Sequence, residues 1–200
     1  MIGILDYEYC NSKSVYETVS ALTDNVCLIS DPKKINSLSK LIIPGVGCSN
    51  NTMKYFRSNG LDEKIIQFSE KGNFILGICV GMQILFQKLT ENGVTDGLGF
   101  FKSNVEPIEN ISKIKTNIGW RKIQNNKLSK MNILNEKFFY FCHSYYAKIC
   151  EDEKKYIISY IKDFVQIPAI VNKHNVYGLQ FHPEKSQKNG IDILTKFLKL

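Results

Sequence analysis

The sequence predicts an α/β protein built on a central, mostly parallel sheet, and two patterns carry this prediction. In the first half, short apolar runs alternate with segments whose apolar residues recur at helical spacing, as buried strands and crossover helices do. In the second half, apolar runs follow one another with only turn signals between them, which indicates antiparallel strands. We therefore expect one domain over residues 1–200, with helices on both faces of the sheet and an antiparallel extension returning to it.

Each element of the first half follows from a short pattern. Apolar runs such as residues 2–6 are typical of buried strands, and helical spacing is clear where Val15, Val19 and Leu22 follow two serines that can cap. The predicted order is a strand at 2–6, a helix at 12–22, strands at 26–30 and 41–44 separated by a helix or turn that starts at Asp31, a helix at 52–67 interrupted at Gly60, a strand at 74–78, and a helix through Val80, Ile84 and Leu85.

The second half reads as strands separated by turns such as Asn125-Asn126, Ile167-Pro168 and Lys173-His-Asn175. The predicted strands include residues 100–101, 105, 118–123, 138–142, 156–161, 169–171 and 176–181, and a helix at 191–198 closes the chain.

Composition excludes several classes of protein. With 44% hydrophobic and 22% charged residues, the chain is neither disordered nor of low complexity. The net charge of +7 comes almost entirely from lysine, since only Arg57 and Arg121 are arginines. Base readout and bidentate phosphate binding favour arginine, so we do not expect a nucleic-acid partner.

The cysteines and the apolar segments indicate the compartment. None of the six cysteines forms a C-x-x-C pair, and we identify no metal-ligand pattern and no cofactor motif. The first residues lack the basic region of a signal peptide, and the longest uncharged stretch, 72–87, is shorter than the ~20 residues of a membrane span. We expect a soluble cytoplasmic protein with reduced cysteines and no membrane partner.

The sharpest motif is Gly77-Ile-Cys79-Val-Gly81, between a buried strand and a helical segment. Glycines on both sides of a nucleophile are typical of a tight strand-to-helix turn that lifts the side chain above the sheet edge. The turn also puts the thiol of Cys79 at a helix N-terminus, which favours the thiolate. An ordinary buried cysteine is the alternative interpretation.

A thiolate nucleophile needs a base, and the chain has three histidines. His182 follows a predicted strand, where α/β active sites form, and Glu184 two residues later is able to orient its ring. The alternative is that His182-Pro-Glu184 is only a turn. His143 at a strand end reads as a structural histidine, and His174 lies in a polar turn.

The segment Pro44-Gly-Val-Gly47 follows the third predicted strand. Its glycines let backbone N–H groups face a site and hold an oxyanion, although Pro-Gly is also an ordinary turn signal.

Together these motifs resemble the class I, triad-type glutamine amidotransferases, in the subtype that serves as the glutaminase subunit of imidazole glycerol phosphate synthase. The resemblance extends over nearly the whole chain. Its matching segments are Pro44-Gly-Val-Gly47, Leu76-Gly-Ile-Cys-Val-Gly-Met-Gln83, Gly97-Leu-Gly99, Gly119-Trp120, His143-Ser-Tyr-Tyr146 and Gly178-Leu-Gln-Phe-His-Pro-Glu-Lys-Ser186.

The resemblance implies a flavodoxin-like glutaminase domain that hydrolyses L-glutamine to glutamate and ammonia. Cys79 would be the nucleophile, His182 the proton shuttle and Glu184 its orienting carboxylate. The implied oxyanion hole is the backbone around Val46, Gly47 and Val80, and the implied glutamine-binding residues are Gly47, Gln83, Ser144 and Tyr145.

The resemblance also implies a partner. The ammonia would pass to a cyclase subunit with a (β/α)₈ barrel, in a heterodimer that makes imidazole glycerol phosphate and AICAR in histidine biosynthesis. The positions that match the partner-facing side are Asn11, Trp120, Tyr140 and Lys185.

The chain departs from the family pattern on that side. Glu8 and Cys10 stand where the family has glycines, Thr116-Asn117-Ile118 replaces Pro-His-Met, and Arg121 replaces asparagine. The triad is unchanged. The main alternative is therefore an ammonia donor for amidation of a surface-polysaccharide or flagellin nucleotide sugar, and others are a scaffold with an inactive elbow or a related cysteine peptidase.

Overall fold

The computed structural model describes residues 1–126 and 136–200. Within those ranges the strands are β1 (Ile2–Leu5), β2 (Val26–Ile29), β3 (Lys40–Ile43), β4 (Phe74–Ile78), β5 (Phe86–Leu89), β6 (Thr95–Asp96), β7 (Phe101–Pro107), β8 (Asn117–Asn125), β9 (Phe138–His143), β10 (Tyr145–Lys148), β11 (Ile157–Ile161), β12 (Phe164–Lys173) and β13 (Val176–Leu179). The α-helices are α1 (Ser12–Ser20), α2 (Ser49–Ser58), α3 (Leu61–Glu70), α4 (Val80–Gln83) and α5 (Gln187–Leu198).

One large sheet organises the described residues, with nine strands in the order β2-β1-β3-β4-β13-β12-β11-β8-β9. The strands β2, β1, β3, β4 and β13 are parallel. The chain moves outward from β1 to β2 and then back past β1 to β3 and β4. Since crossovers are right-handed, this reversal puts α1 and the pair α2–α3 on opposite faces. It also creates a switch point at the carboxyl ends of β1 and β3, where ligands bind in such folds.

The other strands of this sheet, β12, β11, β8 and β9, pair antiparallel, starting from β13. The predicted antiparallel extension of the parallel sheet is thus confirmed. Its last pair, β8 with β9, forms the edge of the sheet beyond the parallel half. The carboxyl ends of β4 and β13 are neighbours because Ile78 pairs with Leu179, so the segments after these strands meet.

Most of the predicted elements are present, but the turn expected at Ile167-Pro168 is wrong, because both residues lie within β12. The helix predicted at 52–67 is two helices separated by Gly60, whose φ of 64° lies in the left-handed region. The turn expected at Asp31 is a 3-10 turn over Pro32–Ser37, and the Asp31 side chain accepts a hydrogen bond from the Lys33 N–H.

The helix predicted through Val80, Ile84 and Leu85 is wrong beyond Gln83. The chain makes one helical turn and then enters β5, which belongs to a separate sheet of four described strands in the order β10-β7-β5-β6. Val80, Ile84 and Leu85, from which the helix was predicted, are all buried at helical spacing, but Ile84 and Leu85 form the turn into β5. The strands β7 and β10 therefore do not return to the main sheet.

Candidate active site

Cys79 occupies a strained turn between β4 and α4, with φ 54° and ψ −109°. The glycines of the motif make this turn possible. A Cβ on Gly81 would overlap the carbonyl oxygen of Ile43 in β3, and one on Gly77 would overlap the carbonyl oxygen of Gly81. Backbone strain of this kind persists only where the surrounding structure enforces it, and here it presents the thiol at the carboxyl end of the sheet.

The sequence analysis gave the helix dipole a part in activating Cys79. The helix α4 has only four residues, so its dipole contributes little. The ionisable group that faces the Cys79 sulfur in this structure is His182.

His182 and Glu184 form a hydrogen-bonded pair behind Cys79. The Nδ1 atom of His182 lies 2.8 Å from Oε1 of Glu184, and their side chains are 3% and 0% exposed. This bond leaves Nε2 of the ring for Cys79. The carboxylate therefore fixes the orientation of the ring.

The charges around His182 favour its protonated form. Burial disfavours the imidazolium, but the adjacent Cys79 sulfur and the Glu184 carboxylate more than compensate, so the pKa of His182 rises well above 6.5. A cationic ring beside the sulfur stabilises a thiolate–imidazolium pair, which is the reactive form of a cysteine nucleophile.

Asn11 lies behind this pair. Its Nδ2 donates to Glu184 Oε1 at 2.7 Å, so two donors converge on one oxygen of the carboxylate. Asn11 is also the N-cap residue of α1, but its side chain makes no capping hydrogen bond. The residue predicted to face a partner is thus in contact with the His182–Glu184 pair.

Ser186 ties the turn after β13 to strand β9. Its hydroxyl donates to the His182 carbonyl at 2.6 Å and accepts the Tyr140 N–H at 3.0 Å. The His182 N–H in turn donates to the Tyr140 carbonyl at 2.9 Å. These bonds set the backbone position of the histidine.

His143 is the second buried histidine of this region and has a different environment. Its Nδ1 lies 2.9 Å from the Tyr145 carbonyl oxygen, and its Nε2 lies 2.9 Å from Nδ2 of Asn117. Burial is the largest influence, and the nearby charges of His182 and Arg121 act in the same direction, outweighing the hydrogen bond to Tyr145. Together they lower the pKa of His143 to about 4.

A cavity of about 230 Å³, which we call the Cys79 cavity, opens in front of the thiol. It brings together nearly all of the residues predicted to act on glutamine, together with Lys185. The predicted residues that line it are Val46, Gly47, Cys79, Val80, Gln83, Ser144, Tyr145, Lys185 and His182. Glu184 lies behind His182 and outside the lining.

Glu91 and Thr116 line the cavity but were not predicted from the sequence, and Cys142 is a third such residue. The Oε2 atom of Glu91 accepts bonds from the Ser49 N–H at 2.7 Å and the Ser49 hydroxyl at 3.0 Å, which orient the carboxylate. The Thr116 and Ser144 hydroxyls are hydrogen-bonded at 2.9 Å. Neither Glu91 nor Thr116 carries a local motif, and only the fold brings them to the cavity.

The segment Pro44-Gly-Val-Gly47, which was predicted to hold the oxyanion, keeps one of its N–H groups away from the cavity. The Val46 N–H donates to the Tyr9 carbonyl at 3.3 Å. Gly47 follows with φ 80°, and glycine takes both signs of φ at little cost, so the adjoining peptide has access to more than one orientation. The Val46 N–H would have to leave Tyr9 before it could donate to a ligand.

A larger groove of about 540 Å³ lies elsewhere on the surface. Tyr146, Lys148 and Tyr160 are among its lining residues, and none of the lining residues is a cysteine or a histidine. The Cys79 cavity is smaller, but it holds the strained Cys79 and both buried histidines, and perturbed groups of this kind mark functional sites.

An apolar patch lies on the outer face of the β8–β9 hairpin, and we call it the hairpin patch. Trp120 packs edge-on against Tyr140, with ring centroids 6.1 Å apart, and Lys185 Nζ lies 5.9 Å from the centroid of the Tyr140 ring. Three predicted partner residues therefore adjoin one another. The patch consists of Ile118, Trp120, Phe138, Tyr140 and Cys142, of which Ile118, Trp120 and Phe138 are 55%, 41% and 48% exposed.

Residues 1–126 and 136–200 contain no cluster of three or more His, Cys, Asp or Glu side chains able to hold a metal ion. In the same part of the chain, no helix has the length and apolar character needed to cross a membrane.

The doubly wound sheet, the strained cysteine and the buried His-Glu pair define a triad-type cysteine hydrolase, and comparison with known proteins makes this specific. The sequence profile of the family "Glutamine amidotransferase class-I" matches residues 6–200. The chain belongs to this family, which confirms the resemblance and the enzyme class found in the sequence.

Individual relatives sharpen the comparison. Imidazole glycerol phosphate synthase subunit HisH of Caldanaerobacter subterraneus is 38% identical over 199 residues, which cover 98% of this chain and 97% of the relative. Imidazole glycerol phosphate synthase subunit HisH 1 of Methanococcus maripaludis is 38% identical over 208 residues and covers both chains completely.

Solved structures support the fold. A crystal structure of a glutamine amidotransferase superposes with a TM-score of 0.76 at 17% identity, covering 100% of this chain and 99% of the other. The structure of PurLQS from Thermotoga maritima gives 0.78 at 17% identity, covering 99% and 97%. The predicted fold class is confirmed.

Proposed function

We propose that this chain is the glutaminase subunit of an imidazole glycerol phosphate synthase, acting as a single cytoplasmic domain in histidine biosynthesis. The observation that carries the proposal is that Cys79, His182 and Glu184 lie together beside one cavity. The full-length relatives that share 34–38% of the sequence bear this subunit's name, so they do not favour the surface-sugar alternative. A scaffold would have no need of the strained cysteine and its buried base.

The triad supports acyl transfer from the glutamine side chain. The Cys79 thiolate attacks the amide carbon, and the tetrahedral intermediate collapses to a thioester as His182 gives its proton to the departing ammonia. His182 then takes a proton from water, whose oxygen attacks the thioester and releases glutamate and the thiolate. Glu184 orients the ring and stabilises the imidazolium through both steps.

Backbone N–H groups hold the oxyanion in this proposal. Val80 begins α4, so its N–H has no partner one turn earlier in the helix. The second donor comes from the segment at Val46 and Gly47, which has to turn away from Tyr9 first. The site is therefore complete only after this segment changes conformation.

Glutamine brings an ammonium and a carboxylate as well as its amide. The oriented carboxylate of Glu91 is the acidic group on the cavity wall, so it pairs with the ammonium. Gln83, Ser144 and Tyr145 provide polar atoms along the same wall. This arrangement selects a free amino acid over a peptide-bound glutamine.

The proposed partner is a cyclase with a (β/α)₈ barrel that docks on the hairpin patch and receives ammonia, forming a heterodimer. The exposed aromatic and aliphatic side chains of the patch suit a buried interface centre. Lys185 at its border suits an acidic residue of the partner.

Removal of the nucleophile tests the activity. We expect Cys79→Ala to abolish glutamate formation in the presence of a histidine-pathway cyclase and its acceptor, while circular dichroism is unchanged. Cys150→Ala is the matched control, since this cysteine is exposed. Turnover by Cys79→Ala close to that of the wild type would overturn the assignment.

Partner dependence tests the pathway. Because Val46 is held by Tyr9, we expect low glutaminase activity from the chain alone and a rise of at least ~100-fold with cyclase and acceptor, the scale of one oxyanion donor. Lys185→Glu should lower this stimulation more than it raises the KM for glutamine. Full activity without any partner would contradict the gating, and stimulation only by a sugar-amidating enzyme would contradict the pathway.

A further inference from the structure

A continuous chain of hydrogen bonds joins the β8 strand to the wall of the Cys79 cavity. Arg121 Nε donates to Asn117 Oδ1 at 2.9 Å, and Asn117 Nδ2 lies 2.9 Å from His143 Nε2. His143 Nδ1 reaches the Tyr145 carbonyl oxygen at 2.9 Å, and Gln83 Nε2 donates to the same oxygen at 3.0 Å. Asn117 is fully buried. The mechanism proposed above uses neither Asn117 nor Arg121.

The groups at the two ends, the Arg121 guanidinium and the Tyr145 carbonyl, determine where each proton lies in this series of hydrogen bonds. A guanidinium only donates, so the amide of Asn117 must turn its oxygen to Arg121 and its NH₂ group to His143. Nε2 of His143 then accepts and carries no proton. At the other end a carbonyl only accepts, so Nδ1 of His143 must carry the proton.

Arg121 is itself held by the hairpin. Its two terminal nitrogens donate to the carbonyl oxygens of Trp120 at 3.2 Å and Ile118 at 3.4 Å. The side chains of these two residues belong to the hairpin patch. The guanidinium thus cannot turn away from Asn117 without breaking bonds to the strand.

We propose that Asn117 and Arg121 are positioning residues, which hold His143 as a neutral imidazole protonated on Nδ1 and thereby fix the Tyr145 carbonyl in the wall of the Cys79 cavity. The effect of Asn117 and Arg121 on glutamine binding rests on the proposed function. The protonation state of His143 rests on the hydrogen bonds alone.

The charged groups around His143 agree with a neutral ring. Arg121 approaches from β8 and His182 from the turn after β13, and both are cationic neighbours that disfavour a second imidazolium. Tyr145 offers only its backbone oxygen, and Asn117 is uncharged. A neutral His143 leaves His182 as the one imidazole of the pair that carries the positive charge beside Cys79.

The state of His143 is measurable without any enzyme assay. We would label the histidines of the full chain with ¹⁵N and record two-bond ¹H–¹⁵N correlations, which separate protonated from unprotonated ring nitrogens. Since the pKa of His143 is lowered to about 4, its Nδ1–H form should persist unchanged across neutral and mildly acidic pH. Protonation on Nε2 in the wild type, or titration near the ordinary histidine pKa, would overturn the inference.

Variants test the positioning role. In Arg121→Gln the amide of Asn117 is released, so we expect a mixture of His143 tautomers and a KM for glutamine about tenfold higher, the effect of one lost hydrogen bond. The kcat should change less than the KM, because Tyr145 lines the cavity but has no part in the proposed chemical steps. Arg57→Gln is the matched control, since it removes the other arginine, which contacts Asp96 on β6.

Asn117→Asp is a second test of the positioning role, which remains available if Arg121→Gln does not fold. A carboxylate facing Nε2 favours a proton there, so the pKa of His143 should rise in this variant. Unchanged tautomer and unchanged KM in Arg121→Gln, or an unchanged His143 titration in Asn117→Asp, would each refute the positioning role. Absence of wild-type glutaminase activity would refute the proposed function alone and leave the tautomer result standing.

Discussion

The end of β9 and the turn after β13 each place a buried histidine at the same cavity, and their surroundings shift the pKa of the two histidines in opposite directions. His182 faces a sulfur and a carboxylate, which raise its pKa, whereas His143 faces a carbonyl and an amide and has its pKa lowered. Burial alone lowers the pKa in both cases. The difference teaches that the partners of a buried imidazole, more than its depth, decide whether it exchanges protons or only holds structure.

Of the effects that test the comparison of His182 with His143, we expect the largest on the turnover number, kcat. We expect His182→Gln to lower kcat by about 10³-fold, because the base moves protons in both chemical steps. His143→Gln should act mainly through the KM, and Glu184→Gln should lower kcat less than His182→Gln, since the carboxylate only orients. Steady-state glutamate formation with the partner present measures all three, and equal losses of kcat at the two histidines would remove the distinction.

The pH dependence of stability sharpens the comparison. The unfolded chain protonates His143 near pH 6.5, but the folded chain does so only near its lowered pKa of about 4, so stability falls as the pH drops between these values, by about 3 kcal/mol in total. His182 has the opposite sign, because its raised pKa gives stability that is full below pH 6.5 and lost as the pH rises through the folded value.

We expect His143→Gln to flatten the acid side of this profile in urea unfolding followed at several pH values. His174→Gln removes an exposed imidazole from the turn between β12 and β13 and serves as the control. An acid limb as steep in His143→Gln as in the wild type would show that other groups cause it.

The smallest expected effect concerns Asn11. Loss of its bond to Glu184 in Asn11→Ala should lower kcat by up to about tenfold and leave the KM unchanged, because the amide steadies the carboxylate behind the base. Asn51→Ala, on the exposed side of α2, is the control. A loss of activity in Asn11→Ala that is seen only in the presence of the partner would contradict this role and support the partner-facing position predicted from the sequence.

The positions of Cys79 and His182 could be predicted from the sequence, because both residues follow predicted strands. Cys79 and His182 each come directly after an apolar strand, and parallel strands end at one edge of the sheet, so sequence alone brings them together. The contacts of Asn117 and Glu91 depend on the register of β8 and on the path of β5 into a second sheet, which no local pattern specifies. The direction of the Val46 N–H depends on one peptide orientation, and a glycine-rich segment permits more than one.

The N-terminus of α1 lacks a capping hydrogen bond from the Asn11 side chain, and this affects which substitutions would be selected at that position. An asparagine at an N-cap ordinarily satisfies an exposed helix N–H, but Asn11 gives its amide to Glu184 and leaves the helix start without that bond. Serine at this position would suit the cap and shorten the reach to the carboxylate. A library screened for thermal tolerance alone should therefore enrich Asn11→Ser, and the enriched clones should be poorer catalysts, because at this residue robustness and turnover are competing traits.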